Sequence, residues 1–269
     1  NNTDEQIQGM LTGLNIRNIM QIFTRCLFIF VGITVGFNAY SQTAEEIIEK
    51  ADAKMRGTSS KSLMKMTVVR PDWTREVTMK GWSHGTEYSL ILITAPARDK
   101  GQAFLKRKKE MWNWQPSIDR VIKMPPSMML QSWMGSDFTN DDLVKESSIV
   151  HDYTHELEKD TTINGLSAYK IVLIPKPDAP VVWGKIVAYV DEVEYNQLLV
   201  YYYDEDDFLI NTLTMSKIKE MGGKVIPTLL EMVPAEEPEN KTVIEYLNLE
   251  FDVDIDEKFF SLQNTKRVR

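Results

Sequence analysis

Apolar residues first recur with helical spacing in TAEEIIEKADAKM (residues 43–55), where Ala44, Ile47, Ile48, Ala51 and Met55 fall on one stripe. Thr43 and Glu46 are spaced as a capping box and Gly57 is placed to end the helix. The period then changes. Alternating or continuous apolar runs predict strands at 63–69, 75–82, 88–94, 102–106, 111–114 and 120–124. A second series follows at 153–159, 168–174, 185–190, 198–203, 210–218, 225–232 and 242–251. Their separators are short and turn-rich, which predicts antiparallel meanders; Asn164-Gly165 and Gly222-Gly223 are strong hairpin signals. No proline- or serine-rich linker interrupts the series, so residues 42–269 read as a single domain. The resulting class is mainly β with a few helices. The strand Tyr88-Ser89-Leu90-Ile91-Leu92-Ile93 is apolar on both faces, which suits a strongly curved sheet or an incomplete barrel wrapped round helices.

Between the two series lies EMWNWQPSIDRVIKMPPSMMLQSWMGSDFTNDDLVK (residues 110–145). Trp112 and Trp114 stand two apart in a strand pattern and share one face. Pro125-Pro126 stops sheet pairing because proline donates no ladder hydrogen bond. Ser127 and Gly135 then bracket a predicted two-turn helix with Met129, Leu130, Trp133 and Met134 on one face. So short a helix needs an apolar surface beneath it. Thr139 and Asp142 are spaced as a capping box opening another short helix with Leu143 and Val144. A methionine-rich flap beside a tryptophan pair reads as a lid over an apolar cavity.

The W-x-W-x-P sequence, the basic strand, the Met-rich segment and Gly135-Ser136-Asp137-Phe138…Asp141-Asp142-Leu143 together resemble the bacterial outer-membrane lipoprotein-sorting proteins. These are LolA-like periplasmic carriers, here of the branch associated with large exporters. The resemblance implies an unclosed antiparallel β-barrel (half-barrel) with helices plugging its concave apolar face. It also implies transfer of a lipoprotein or other lipid toward the outer membrane, its acyl chains lying in that cavity. Trp112, Trp114, Met128, Met129, Leu130, Trp133 and Met134 are then the expected lipid-contacting set, and Ile255 to Leu262 the short helix that closes such domains. An inner-membrane exporter is the expected docking partner, and the alternative is an accessory subunit docked on that exporter without lipid. One departure stands out. The family latches its lid with an arginine in a W-x-x-R-P pattern; Trp82-Ser83-His84-Gly85 has Gly in that place and Arg70-Pro71 lies one strand too early, so no latch residue carries over.

Composition narrows the classes. The 269 residues carry a formal net charge of −8, and Asp4 and Glu5 balance Arg17 and Arg25 in residues 1–41, so residues 42–269 carry it all. An acidic chain is poorly suited to nucleic acid or an anionic membrane surface. Arg17 and Arg25 precede the apolar run Cys26–Phe37, and Ala39-Tyr40-Ser41 follows it. This pattern predicts a secretory signal peptide cut after Ser41 and a periplasmic product without a stable membrane anchor; the alternative is an uncleaved N-terminal anchor. Lipidation at Cys26 is excluded, because the cysteine precedes the apolar run and Arg25 occupies the position that needs a small residue. With Cys26 removed, no disulfide or thiol chemistry is expected.

An enzymatic reading finds no nucleophile elbow, phosphate loop or dinucleotide fingerprint. His151 and His155 lie in a strand-like sequence, where residues four apart stand roughly 13 Å from each other, too far for one metal ion. Asp204 to Asp207 reads as a charged turn rather than a calcium loop. Lys106-Arg107-Lys108-Lys109 reads as a solvated hairpin turn, or as a docking patch for an acidic partner surface. The sequence calls for no cofactor. Apolar burial remains, contributing at most about 0.8 kcal/mol per methylene.

Overall fold

The computed structural model describes residues 42–144, 148–177, 179 and 181–268. The expected signal peptide and its cleavage site lie outside these residues. Helix α1 (Ala44–Arg56) has the capping box foreseen, with the Glu46 amide donating to Thr43 Oγ1 at 3.2 Å and the Thr43 amide to Glu46 Oε2 at 3.1 Å. Gly57, at φ 66°, ends it in a conformation that suits glycine.

Two antiparallel meanders follow. The first comprises β1 (Ser59–Arg70), β2 (Trp73–His84), β3 (Tyr88–Ala95), β4 (Ala103–Arg107), β5 (Glu110–Gln115) and β6 (Arg120–Lys123). The second comprises β7 (Tyr153–Leu157), β8 (Thr161–Ile163), β9 (Leu166–Pro175), β10 (Lys185–Asp191), β11 (Gln197–Tyr203), β12 (Leu209–Met221), β13 (Lys224–Pro234) and β14 (Lys241–Phe251). Pairing of β1 with β14 fuses them into one sheet of order β6-β5-β4-β3-β2-β1-β14-β13-β12-β11-β10-β9-β7, with β8 also on β9. The sheet does not close, so β6 and β7 are its two edges. The chain between those edges, residues 124–152, holds the segment read as a lid; topology requires it to cross from one margin of the sheet to the other.

The expected strands are present, with boundaries shifted by a few residues. At Met221-Gly222-Gly223-Lys224 both glycines have positive φ, the geometry of a tight hairpin joining β12 and β13. Strand β8 was not foreseen, and the run expected from Tyr153 to Lys159 stops at Leu157. His151 ends the short helix α3 (Ser148–His151) instead of lying in a strand, and β7 begins two residues later.

The sheet has an inner face, toward α1 and the crossing segment, and an outer face. Ile47, Ile48 and Ala51 of α1 pack with Ile171, Ala188, Val200, Leu213 and Met232 along one inner register row, and with Leu173 and Ile186 in the next. Strand β3 is buried on both sides, as its composition implied. Ile93 packs in the inner cluster with Met66, Met79 and Trp133, while Leu90 and Leu92 pack outward against Phe260. The outer cover is the C-terminal segment, a single 3-10 turn at Glu257–Phe259 followed by α4 (Leu262–Thr265). Its Phe260 is fully buried, with rings of Phe259 and Tyr88 at 5.3 and 5.8 Å.

Candidate functional site

The crossing segment is not the two-turn helix its spacing suggested. It forms 3-10 turns at Pro126–Met128 and Trp133–Gly135, with Met134 and Gly135 both at positive φ. Backbone groups are satisfied by loop bonds instead of an i, i+4 ladder. The Trp133 amide donates to Phe138 O at 2.7 Å and the Asp141 amide to Met129 O at 2.9 Å. Asn140 Nδ2 donates to Met128 O and Gln131 O at 2.9 and 3.1 Å, stapling the loop from within. Only then does helix α2 (Asn140–Val144) begin, on the predicted capping box: Asp142 N to Thr139 Oγ1 at 3.1 Å and Thr139 N to Asp142 Oδ2 at 2.7 Å.

Trp133 anchors this lid. It is 1% exposed and meets the Phe104 ring edge-on at 5.3 Å, among Met66, Val77, Met79, Ile93 and Met111. Met129 and Met134 pack partly buried against the same cluster, and Met128 is half-buried. Leu130 does not join the packed face; it is 64% exposed, because the loop turns it outward where a helix would have turned it in.

Trp112 and Trp114 do not face the lid. Strand register pairs them with Leu105 and Ala103, on the outer face, where they join the cluster around Phe260 and Val268. The Lys266 ammonium lies 4.8 Å from the Trp114 ring centroid. Met111, one residue from Trp112, takes the inner position instead.

The lid is clamped by two arginines. Arg70 sends Nη2 and Nη1 to the two carboxylate oxygens of Asp137 at 2.8 and 3.2 Å, and Nη2 also to Gly135 O at 3.3 Å. Thr242 of β14 donates to Asp137 Oδ2 at 2.7 Å and accepts from the Asp137 amide at 2.9 Å. Arg75 of β2 donates to Met134 O. Burial, with Arg98 and Arg70 nearby, lowers the Arg75 pKa from its ordinary value. A forked guanidinium–carboxylate pair of this kind fixes orientation as well as adding energy. These contacts tie the crossing segment to β1, β2 and β14, and Arg70 belongs to the Arg70-Pro71 pair that lies one strand before the place where the family pattern puts an arginine.

Behind lid and latch lies a cavity of about 300 Å³ between the inner face, α1 and α2. Its wall is mostly apolar, with Met64, Met79, Ile91, Trp133, Met215 and Met232 among its lining. Of the seven residues expected to contact cargo, Trp133 alone lines it. Sequence reading missed Phe138, Tyr153 and Trp183 in the wall. Polar groups also face the space. Asp142 Oδ1 accepts from Trp183 Nε1 at 3.3 Å; burial raises its carboxyl pKa, opposed by the bonds from Thr139 and Trp183. Burial, followed by the charges of Asp141, Asp152 and Asp142, raises the Tyr153 pKa well above the usual phenol value. Arg56 pairs with Asp52 on α1 at 2.5 Å.

The other candidate groups have local roles. His155 Nε2 bonds to Ile149 O at 2.7 Å. Asp204 Oδ1 accepts from the amides of Asp206 and Phe208 at 3.0 and 2.9 Å, as in an ordinary side-chain-closed turn. Of the basic run, Arg107 to Lys109 form the exposed β4–β5 turn, but Lys106 is buried. Among the described residues no helix is long and apolar enough to cross a membrane.

Three solved structures share this architecture. An outer membrane lipoprotein-sorting protein domain from Vibrio parahaemolyticus is 23% identical over 83% of this chain and 98% of that one, with a TM-score of 0.74. A DUF1329 family protein from Desulfovibrio piger is 24% identical over 82% and 96%, with a TM-score of 0.75. A LolA superfamily protein from Nitrosomonas europaea is 23% identical over 83% and 99%, with a TM-score of 0.71. No curated protein matches the sequence. A family model described only as an uncharacterized protein matches residues 85–267. The chain belongs to that family of uncharacterized proteins, and its fold is the LolA-like open half-barrel.

Proposed function

We propose that the protein is a periplasmic, non-catalytic lipid carrier that shelters acyl chain in the inner cavity and hands it on toward the outer membrane. The observation that carries this reading is the clamped loop over an apolar space. Trp133 of the lid forms part of the wall, so cargo too large for the space exchanges with lid contacts and gains only the difference. A sixteen-carbon chain fully removed from water would gain roughly 12 kcal/mol, which would make release slow. Self-filling lowers that gain and allows transfer. Methionines in the wall suit variable chains because the thioether repacks readily. Met129 and Met134 move with Trp133 as the lid opens, whereas Trp112 and Trp114 stay with the outer packing. Docking on an inner-membrane exporter belongs to the same reading. The likeness to lipoprotein-sorting folds and the exported-type N-terminus support it.

The test is detergent-free purification from the native cells followed by native mass spectrometry and solvent extraction. Stoichiometric lipid is expected. Protein that carries no lipid, and when delipidated binds no fluorescent fatty acid saturably, would favour an accessory subunit filled by its own side chains.

A further inference from the structure

The volume and the chemistry of the cavity together restrict its cargo. An enclosed apolar cavity of about 150 Å³ holds a benzene-sized ligand of six carbons. The 300 Å³ here therefore holds about a dozen carbons, short of one sixteen-carbon chain and far short of two or three. Helix α1 on one side and the lid on the other both contribute to its wall.

Serine hydroxyls at one end of it offer hydrogen bonds without charge. Ser60, Ser83 and Ser89 lie side by side on β1, β2 and β3, with Ser60 Oγ 2.6 Å from Ser83 Oγ, and Ser62 stands one inner position along. All four line the cavity. Gly81, opposite Ser62, keeps this corner open, since a Cβ there would come 2.5 Å from Ser62 Oγ. Trp133 brings a buried indole N–H that has no hydrogen-bond partner. A hydroxyl or ester oxygen satisfies such groups. An anionic head would instead meet the carboxylates of Asp141 and Asp142 in the same wall, while Arg56 is already bound to Asp52.

We propose that the latched cavity takes a single acyl chain of about a dozen carbons with a neutral, hydroxyl- or ester-bearing head, and that lipids with two or three chains bind only once the lid is displaced. This rests on the carrier reading above and adds the class of cargo. The chain with one acyl group is the resting occupant; multi-chain cargo requires the Arg70–Asp137 latch to break.

The probes are monoacylglycerols of 8 to 18 carbons, dilauroylglycerol and laurate, titrated below their aggregation limits into delipidated full-length protein. Each methylene buried should tighten monoacylglycerol binding about three- to fourfold up to roughly twelve carbons, after which affinity levels off. Monolaurin should bind at 1:1 and at least tenfold more tightly than laurate or dilauroylglycerol. The variant Arg70→Ala, Arg75→Ala should gain dilauroylglycerol binding, and Ser62→Val, Ser83→Val should weaken monolaurin several-fold while leaving the unfolding midpoint near that of the wild type. Affinity that keeps rising to eighteen carbons, or dilauroylglycerol bound as tightly as monolaurin, would overturn the single-chain cavity and leave the carrier reading standing. Absence of binding by every lipid would overturn both.

Discussion

The strands β3 to β5 are covered twice, and the two covers are built differently. On the outer face the C-terminal segment inserts Phe260 among Trp82, Tyr88, Trp114 and Phe259, apolar surface against apolar surface. On the inner face the lid inserts Trp133 and Phe138, with Met129 and Met134 partly buried beside Trp133, and is held as well by two arginine clamps and loop hydrogen bonds. A cavity adjoins the inner cover. The first arrangement can be removed only at the cost of exposing a core. The second can leave as a unit, because charged clamps find water when they part and the sheet beneath keeps its ladder. On the carrier reading, an outer core supports the strands while the inner cover opens.

That contrast predicts a graded series. Phe260→Ala should cost the most, about 3–5 kcal/mol of global stability in urea unfolding, since its contacts are lost only when the domain unfolds. Trp133→Ala removes a larger side chain yet should cost less. Its penalty is capped by the docking free energy of the lid, because an undocked lid cannot be undocked further. For the same reason Trp133→Ala and Arg70→Ala should be strongly non-additive, the double variant costing little more than the worse single one; full additivity would make the lid ordinary core.

Arg70→Ala alone comes next, at about 2 kcal/mol, below the 3–5 typical of a fully buried pair because the guanidinium keeps some contact with water. The carboxylate of Asp137 would remain with only Thr242 as side-chain partner, so Asp137→Asn in the same background should recover part of the loss. Hydrogen exchange at the Trp133 and Asp141 amides would report lid opening directly.

The smallest effect concerns pH. Burial raises the Asp142 carboxyl pKa in the folded protein, so the folded state binds the proton more tightly than the unfolded one. Stability contributed by this group is therefore present below the unfolded carboxylate range and is lost as pH rises through the folded pKa. Asp142→Asn should flatten that part of the profile and stabilise the protein slightly at neutral pH. An unchanged profile would indicate that the bonds from Thr139 and Trp183 fully offset the burial.

The strands and α1 were legible in the sequence because period, caps and turn residues all agreed there. The lid helix was misread because Met129, Leu130, Trp133 and Met134 have helical spacing, while the actual conformation is set by Asn140 reaching back to Met128 and Gln131 and by Ser136 bonding to Trp133 O. Such side-chain staples leave no periodic trace. Trp112 and Trp114 were correctly paired on one face, but β5 is covered on both faces, by the inner cluster at Met111 and the outer cluster at Trp114, so an apolar face does not reveal which side looks inward. The latch was hidden by distance: Arg70 and Asp137 are 67 residues apart, and only the topology of a sheet open between β6 and β7 brings them together. Asp137 itself sat in the most distinctive motif of the chain, its role unreadable without its partner.

Native-state hydrogen exchange, read region by region, tests the detachable lid most directly. Amides of residues 131–142 should exchange through a local opening whose free energy lies well below that of the global transition, while those of β3, β4 and the Phe260 segment should exchange only on global unfolding. Adding monolaurin should shift the lid amides and leave the C-terminal segment unchanged. Equal opening free energies for both covers, unaltered by lipid, would contradict a lid and make the inner cluster a second piece of permanent core.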